Sequence, residues 1–313
     1  MLKRYREEYK SSLKSRDTEE WFDLFFYRPI GFVWAVIARK LGITPNAITI
    51  ASIFIGIGAG IAFYYDNFWI NVAGMLLLML ADSFDSADGQ LARMTKQYSR
   101  IGRVLDGVSS DLWFIAIYAA ICLREDMTSS FFMSHPLLIW IIAAAAGACH
   151  AQQAAMADRY RQLHLFFLKG KEGSELDDSG FLWKQYHKMT WKSSFFPKLI
   201  MFFYAGYTGI QERFTPQMQR FLSLLRETYS SHIPKEISER FLAGSRPLMK
   251  YTNILSFNVR SWALFISILV FRMPWLYFAF ELTVMNAILV YMIVSHERLC
   301  RHQAMGVSPW ADK

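Results

Sequence analysis

Residues 85–111 read DSADGQLARMTKQYSRIGRVLDGVSSD, and this polar stretch lies between two uncharged apolar runs, residues 67–81 and 112–123. A carboxylate near the centre of a membrane span costs about 2.5–3.5 kcal/mol, so several together need compensation. A divalent metal ion supplies it, because Asp oxygens are ligands that hard ions such as Mg²⁺ prefer. Magnesium ions also assist chemistry at phosphate groups. The stretch therefore predicts a metal site at the end of a membrane span.

The rest of the chain also has the composition of a membrane protein. Of its 313 residues, 53% are hydrophobic and 16% are aromatic. A helix that crosses a membrane needs about 20 mostly apolar residues. The uncharged runs predict an all-α, polytopic fold with six transmembrane helices, at residues 43–65, 68–91, 104–123, 134–157, 253–271 and 274–295.

This pattern divides the chain into four segments. They are N-terminal cytoplasmic and interfacial helices at 1–42, a catalytic membrane core of spans one to four at 43–160, a helical cytoplasmic insertion at 161–252, and spans five and six with a tail at 253–313. Aromatic residues interleaved with Arg and Lys at 21–40 are typical of a helix in the membrane interface. The apolar run 195–210 is short for a crossing and contains Pro197 and Lys198, so we expect it at the interface.

The distribution of basic residues predicts the orientation. Nine Lys and Arg lie in the first forty residues and fifteen lie in residues 159–250, whereas the opposite side has only Arg124 and Arg272. Positive charge collects on the cytoplasmic side, so both termini and the polar stretch are expected there, in a bacterial inner membrane. The net charge of +8 then reflects topology and anionic lipids, and no nucleic-acid partner is expected.

Helical spacing places the acidic residues of the stretch on one face. Residues in an α-helix are 100° apart, so Asp85 and Asp88 differ by 60° and Asp88 and Ala92 by 40°. Asp82 lies on the same face one turn deeper. Gly89 has no side chain, which leaves room for a ligand or for backbone beside Asp88.

A second helix adds to this face after a short loop. Gly102 and Asp106 share a face of the third predicted span, and Arg93 can offer a phosphate several donors. Two neighbouring antiparallel helices would then point carboxylates into one cleft. That arrangement suits one or two Mg²⁺ ions held against a pyrophosphate.

These residues resemble the signature of the CDP-alcohol phosphotransferase (CDP-alcohol phosphatidyltransferase) family, Asp-x2-Asp-Gly-x2-Ala-Arg-x8-Gly-x3-Asp-x3-Asp. Seven of the eight fixed positions match at the family's spacing, and the stretch Thr44-Pro45-Asn46-x2-Thr49 also looks like the family. The resemblance covers residues 40–160. It implies a six-span, usually homodimeric membrane enzyme. Such an enzyme uses divalent metal to transfer a phosphoalcohol from a CDP-linked donor to a hydroxyl, with release of CMP.

The resemblance also implies roles for single residues. Two Mg²⁺ (or Mn²⁺) ions would be held by the aspartates of the signature, Asp85, Asp88, Asp106 and Asp111. The cytidine and pyrophosphate would be bound by Asn46, Asp85, Gly89, Ala92, Arg93 and Gly102.

The match to the signature breaks at its last Asp. That position holds Ser110, and Asp111 comes one residue later. On a regular helix Asp111 would point 140° from Asp106, so we expect a π-bulge that restores the register and makes Asp111 the base. The alternative is that Ser110 fills the position and that the base lies elsewhere.

Other polar residues have weaker assignments. Asp82 is expected to hydrogen-bond behind the metal ligands rather than to bind metal. Three arginines near the cytoplasmic ends of spans could bind an acceptor phosphate or could be ordinary flanking charges, namely Arg159, Arg161 and Arg260. Glu281 could pair with Arg272 at the far interface.

The function predicted is transfer of a phosphatidyl group from a donor such as CDP-diacylglycerol to the hydroxyl of a polyol or polyol phosphate, such as inositol phosphate, in phospholipid biosynthesis. One alternative is transfer of a headgroup from a CDP-headgroup donor to diacylglycerol or ceramide. A cation transporter is another, because carboxylates within membrane spans also mark ion paths. An inactive, lipid-binding relative is the third.

Overall fold

The computed structural model describes residues 7–9, 11–13, 17–97, 100–170, 174, 176–191, 194–229 and 233–307, with the backbone alone at residues 100, 101, 103, 104 and 106. The longer helices are α1 (Arg28–Leu41), α2 (Pro45–Tyr64), α3 (Phe68–Thr95), α4 (Arg100–Thr128), α5 (Pro136–Lys169), α6 (Ser179–Lys188), α7 (Phe195–Arg213), α8 (Pro216–Tyr229), α9 (Lys235–Ser245), α10 (Met249–Ile254), α11 (Phe257–Phe265), α12 (Leu276–Phe280) and α13 (Asn286–Met305). Shorter helical turns are Asp23–Tyr27, Ser130–Ser134, Arg246–Leu248, Ile266–Val270 and Glu281–Met285.

The predicted all-α, polytopic fold is confirmed. Within the described residues, six helical stretches are long and apolar enough to cross a membrane, at Pro45–Tyr64, Phe68–Thr95, Gly107–Thr128, Pro136–Lys169, Lys235–Val270 and Leu276–Met305. Several continue past the predicted spans, since polar residues carry the helix on beyond the apolar run. Helix α7 is not among the six, and its position at the interface stays a prediction.

The start of the first span follows directly from its sequence. Thr44 caps α2, where its Oγ1 accepts a hydrogen bond from the Ala47 backbone N–H at 3.4 Å. Pro45 takes the first helical position, where a missing N–H costs nothing. Further along, a Cβ on Gly60 would come within 2.9 Å of Ala116. The absence of a side chain there lets α2 and α4 pack closely.

Helix α1 has two apolar faces with different surroundings. On one face Ala35 and Ala38 are buried against Ile48, Ala87 and Leu91. The other face is exposed and carries the large apolar residues Val33, Ile37 and Leu41, and the exposed Trp21 and Phe25 precede the helix. An exposed apolar face beside a packed one is typical of a helix in the membrane interface.

The chain forms two compact units. The first comprises Met1–His150 with Phe257–Thr283, and the second comprises Ala151–Ser256 with Val284–Lys313. The segment boundaries predicted at residues 42, 160 and 252 follow membrane topology rather than compactness, and they stay predictions.

The second unit contains the insertion helices. Helix α8 packs against α13, and the Glu297 carboxylate accepts hydrogen bonds from the backbone N–H groups of Gln217 (2.6 Å) and Met218 (3.2 Å). Orphan donors at the start of α8 are thereby satisfied. Helix α7 packs on α6 and leaves Phe196 72% exposed and Phe203 65% exposed.

Candidate active site

A cleft of about 180 Å³ lies beside the polar end of α3, within the first unit. Helix α3 lines it with Asp82, Asp85, Ser86, Gly89 and Arg93. The segment before α2 lines it with Asp23, Tyr27 and Arg28. The structure thus places Asp82 and Asp85 of the predicted face at the cleft with Gly89 and Arg93, whereas Asp88 and Ala92 are not among its lining residues. It also adds a wall that sequence reasoning missed.

Hydroxyl groups from two neighbouring helices hold the motif carboxylates. Asp88 is 4% exposed and accepts a hydrogen bond from the Thr49 hydroxyl of α2. Asp85 accepts a hydrogen bond from the Ser109 hydroxyl of α4 at 2.8 Å. The two carboxylates are therefore oriented by groups outside their own helix. Thr49 belongs to the stretch that resembles the family, and this contact gives it a structural role.

The expected π-bulge in the third span is wrong. Residues Arg100–Thr128 form one regular α-helix, so Asp111 lies about 140° around the helix axis from Asp106. Asp111 is exposed and is not among the residues that line the cleft. Ser109, which is buried and which the sequence analysis did not single out, donates the hydrogen bond to Asp85 from this turn of α4.

The remaining signature residues lie along the same helices. Ala92, close to the end of α3, is half-buried, and so are Gly102 on α4 and Asn46 in the first turn of α2. The side chain of Asp106 lies outside the described residues.

The described donors fit a hard divalent ion by their chemistry. No group of three His, Cys, Asp or Glu is placed to hold a metal ion among the described side chains, which do not include Asp106. Asp85 and Asp88 nevertheless present carboxylate oxygens, which are the ligands that Mg²⁺ prefers. Their hydrogen bonds to hydroxyls resemble the outer contacts that orient metal-binding carboxylates. Asp85 and Asp88 are the described residues that would hold the ion.

The segment before the first span carries further polar contacts of the site. Asn258 donates hydrogen bonds to Glu20 (2.6 Å) and Asp23 (2.7 Å). Tyr27 is 3% exposed, and its pKa is raised first by burial and then by the negative charge of Asp82, Asp23 and Glu20. Its hydroxyl therefore stays protonated at neutral pH and can donate a hydrogen bond in the cleft.

The predicted partner of Glu281 is wrong. Glu281 pairs with Arg260, whose Nη1 lies 2.6 Å from Glu281 Oε2, and both side chains are almost fully buried. Tyr277 donates a further hydrogen bond to Glu281 at 2.6 Å. Arg272 lies in the turn between the last two spans, is exposed, and has a left-handed backbone conformation (φ 53°).

The three arginines predicted to bind the acceptor are not brought together in one unit. Arg260 belongs to the first unit and is occupied by Glu281. In the second unit, Arg159 donates to the Asp177 carbonyl at 2.9 Å and Arg161 donates to the Ser256 hydroxyl at 2.8 Å. Their role in binding an acceptor stays a prediction.

Comparison with known proteins addresses the same part of the chain. Residues 42–165 match the family model described as CDP-alcohol phosphatidyltransferase. Residues 42–165 are therefore similar to CDP-alcohol phosphatidyltransferases. An archaetidylinositol phosphate synthase from Pyrococcus horikoshii is 35% identical over 93 residues, which make up 28% of this chain and 48% of that protein. The chain thus matches about half the length of this curated relative. The matched residues 42–165 include Asp82, Asp85, Asp88 and Ser109 but leave out Asp23, Tyr27 and Arg28.

Proposed function

We propose that the chain is a metal-dependent enzyme of phospholipid biosynthesis that transfers a phosphatidyl group from a CDP-linked lipid to an acceptor hydroxyl and releases CMP. The single observation that carries this proposal is the pair of oriented carboxylates, Asp85 and Asp88, in the matched region, where Asp85 lines an open cleft. The family match supports a CDP-linked donor.

The reaction would proceed by displacement at one phosphorus atom. The acceptor oxygen forms a bond to the phosphorus that carries the lipid alcohol, the bond from that phosphorus to the CMP oxygen breaks, and a cleft carboxylate takes the acceptor proton. Arg93 donates to the pyrophosphate from α3, and Gly89 leaves space beside it. Divalent ions, when bound, neutralise the charge that develops on the leaving group.

The named relative supports a proposal for the acceptor class. A synthase of a lipid inositol phosphate supports a polyol phosphate as acceptor for this chain as well. The cytoplasmic location of the cleft and of both termini, and a homodimeric assembly, are part of the proposal.

The test uses the purified full chain with CDP-diacylglycerol, Mg²⁺ and a panel of acceptors that includes inositol phosphate, glycerol phosphate and free inositol. Mass spectrometry of the lipid products and measurement of CMP should show equal amounts of CMP and one phosphorylated phospholipid. A parallel reaction with CDP-headgroup donors and diacylglycerol tests the opposite donor type. No CMP release from any donor would refute the proposal.

A further inference from the structure

We propose that Arg28 binds a phosphate group of the substrate in the cleft. This inference rests on the proposed function, because it concerns the ligand of the same site. Arg28 lies before residues 42–165, the part of the chain that matches the family. It would therefore be a contribution of the N-terminal segment to a site that the family domain supplies only in part.

The position of Arg28 brings its side chain to the cleft. Arg28 is the first residue of α1, directly after the helical turn Asp23–Tyr27, and it lines the cleft together with Gly89 and Arg93. Its side chain is only 16% exposed. A guanidinium this far from bulk solvent interacts with a charged ligand more strongly than a surface one does.

Two contacts hold the guanidinium in place. Its Nε donates to Glu19 Oε2 at 2.9 Å, and its Nη1 donates to the Ser86 hydroxyl at 3.2 Å. The Glu19 side chain is 4% exposed, so the pair is shielded from water. An arginine has five N–H donors. The three that remain have no hydrogen-bond acceptor among the side chains that the structure describes, so they can serve a ligand.

The backbone beneath Arg28 is also fixed. Gln90 donates from its Nε2 to the Arg28 carbonyl at 3.1 Å. At Gly31, one turn later, a Cβ would come within 2.9 Å of the Gln90 side chain and 3.0 Å of Ser86. The start of α1 therefore lies directly on α3. Because the side chain is already ordered, a ligand binds it at a lower entropic cost.

The charge of the cleft gives a reason for Arg28 to bind phosphate in addition to Arg93. Its lining has three carboxylates, from Asp23, Asp82 and Asp85, and two guanidinium groups, from Arg28 and Arg93. A phosphate group adds negative charge to a lining that is already acidic. A second planar guanidinium offsets that charge and can bind two phosphate oxygens at once.

The experiment measures ligand binding by the detergent-solubilised full chain, with CDP and inorganic pyrophosphate as probes in the presence of Mg²⁺. Arg28→Ala should raise the dissociation constant by about 10- to 100-fold. Arg28→Lys should have an intermediate effect, because it keeps the positive charge but loses the planar set of N–H donors that can bind two phosphate oxygens. The matched control is Arg39→Ala, which removes an arginine of the same helix that pairs with Glu8 and does not line the cleft, and it should change binding by less than about threefold.

Measurements of CDP affinity and of KM show whether Arg28 binds a phosphate of the donor or of the acceptor. A weaker affinity for CDP assigns Arg28 to the donor. Unchanged CDP affinity, with a higher KM for a phosphorylated acceptor and an unchanged KM for its unphosphorylated counterpart, assigns it to the acceptor. If Arg28→Ala alters neither affinity nor KM, the inference is overturned while the proposed function stands. If the wild type binds neither probe and releases no CMP, both are overturned.

Discussion

The cleft and the Arg260–Glu281 pair both place ionisable side chains in apolar helices of the first unit, but their surroundings differ. Arg260 and Glu281 are 1% and 0% exposed, and their main partners are each other and Tyr277. The acidic and basic groups of the cleft line open space instead. A closed pair satisfies its own charges and holds helices together, whereas charges around a cavity can still act on a ligand. The two regions should therefore respond differently to the same kind of substitution.

The largest expected effect is on turnover in the cleft. Asp85→Asn and Asp88→Asn should each lower the rate of CMP release by about 10³-fold, since they remove charge where a metal and pyrophosphate would lie. Thermal unfolding should change little. The control is Asp66→Asn, which removes a 62% exposed carboxylate that pairs with Arg124. Turnover near the wild-type rate in Asp85→Asn would show that the reaction does not need the Asp85 carboxylate in the cleft.

The buried pair should show the opposite response. Arg260→Met or Glu281→Gln alone should lower the free energy of unfolding by about 3–5 kcal/mol, because each change leaves one buried group without its counterpart. The double variant Arg260→Met/Glu281→Leu should recover much of that loss. Unfolding in detergent measures stability, and CMP release per folded molecule should stay near wild type. A double variant as unstable as the single ones would contradict a structural role for the pair.

A smaller effect is expected from the hydroxyl that orients Asp88. Thr49→Val keeps the shape of the side chain but removes its hydrogen bond, and turnover should fall by about tenfold. Thr49→Ser restores a hydroxyl and should recover most of the rate. If Thr49→Ser is as slow as Thr49→Val, the loss comes from packing and not from the hydrogen bond to Asp88.

The smallest effect should come from Asp111. Because α4 is regular and Asp111 is exposed, Asp111→Asn should change turnover by less than about threefold, and Ser109→Ala should change it more. Initial rates of CMP release for the two variants provide the comparison. A loss of about 10³-fold in Asp111→Asn would make Asp111 the base despite its position on the helix.

The parts that could be predicted from sequence depend on local periodicity. Uncharged runs predict the spans because the thickness of a bilayer sets helix length. The 100° spacing predicts a common face of Asp82, Asp85, Asp88 and Ala92, of which Asp82 and Asp85 line the cleft. Both are properties of a single helix, so they need no knowledge of which helices are neighbours.

The parts that could not be predicted depend on contacts between distant residues. Glu281 pairs with Arg260, 21 positions away, and not with the nearer Arg272. Arg28 reaches Ser86 across 58 positions, and no periodicity connects the two. The contact of Ser109 with Asp85 depends on the exact rotation of α4. A weak signal for the N-terminal wall was present in the charged residues among the aromatic ones at 20–28.

The most direct test of the central claim, that the α3 carboxylates hold a divalent ion for a CDP-linked ligand, is Mn²⁺ binding followed by electron paramagnetic resonance with and without CDP. The wild type should bind Mn²⁺ more tightly when CDP is present. Asp85→Asn and Asp88→Asn should lose this binding, and Glu281→Gln, measured on its folded fraction, should keep it. Equal Mn²⁺ binding in wild type, Asp85→Asn and Asp88→Asn would contradict the claim.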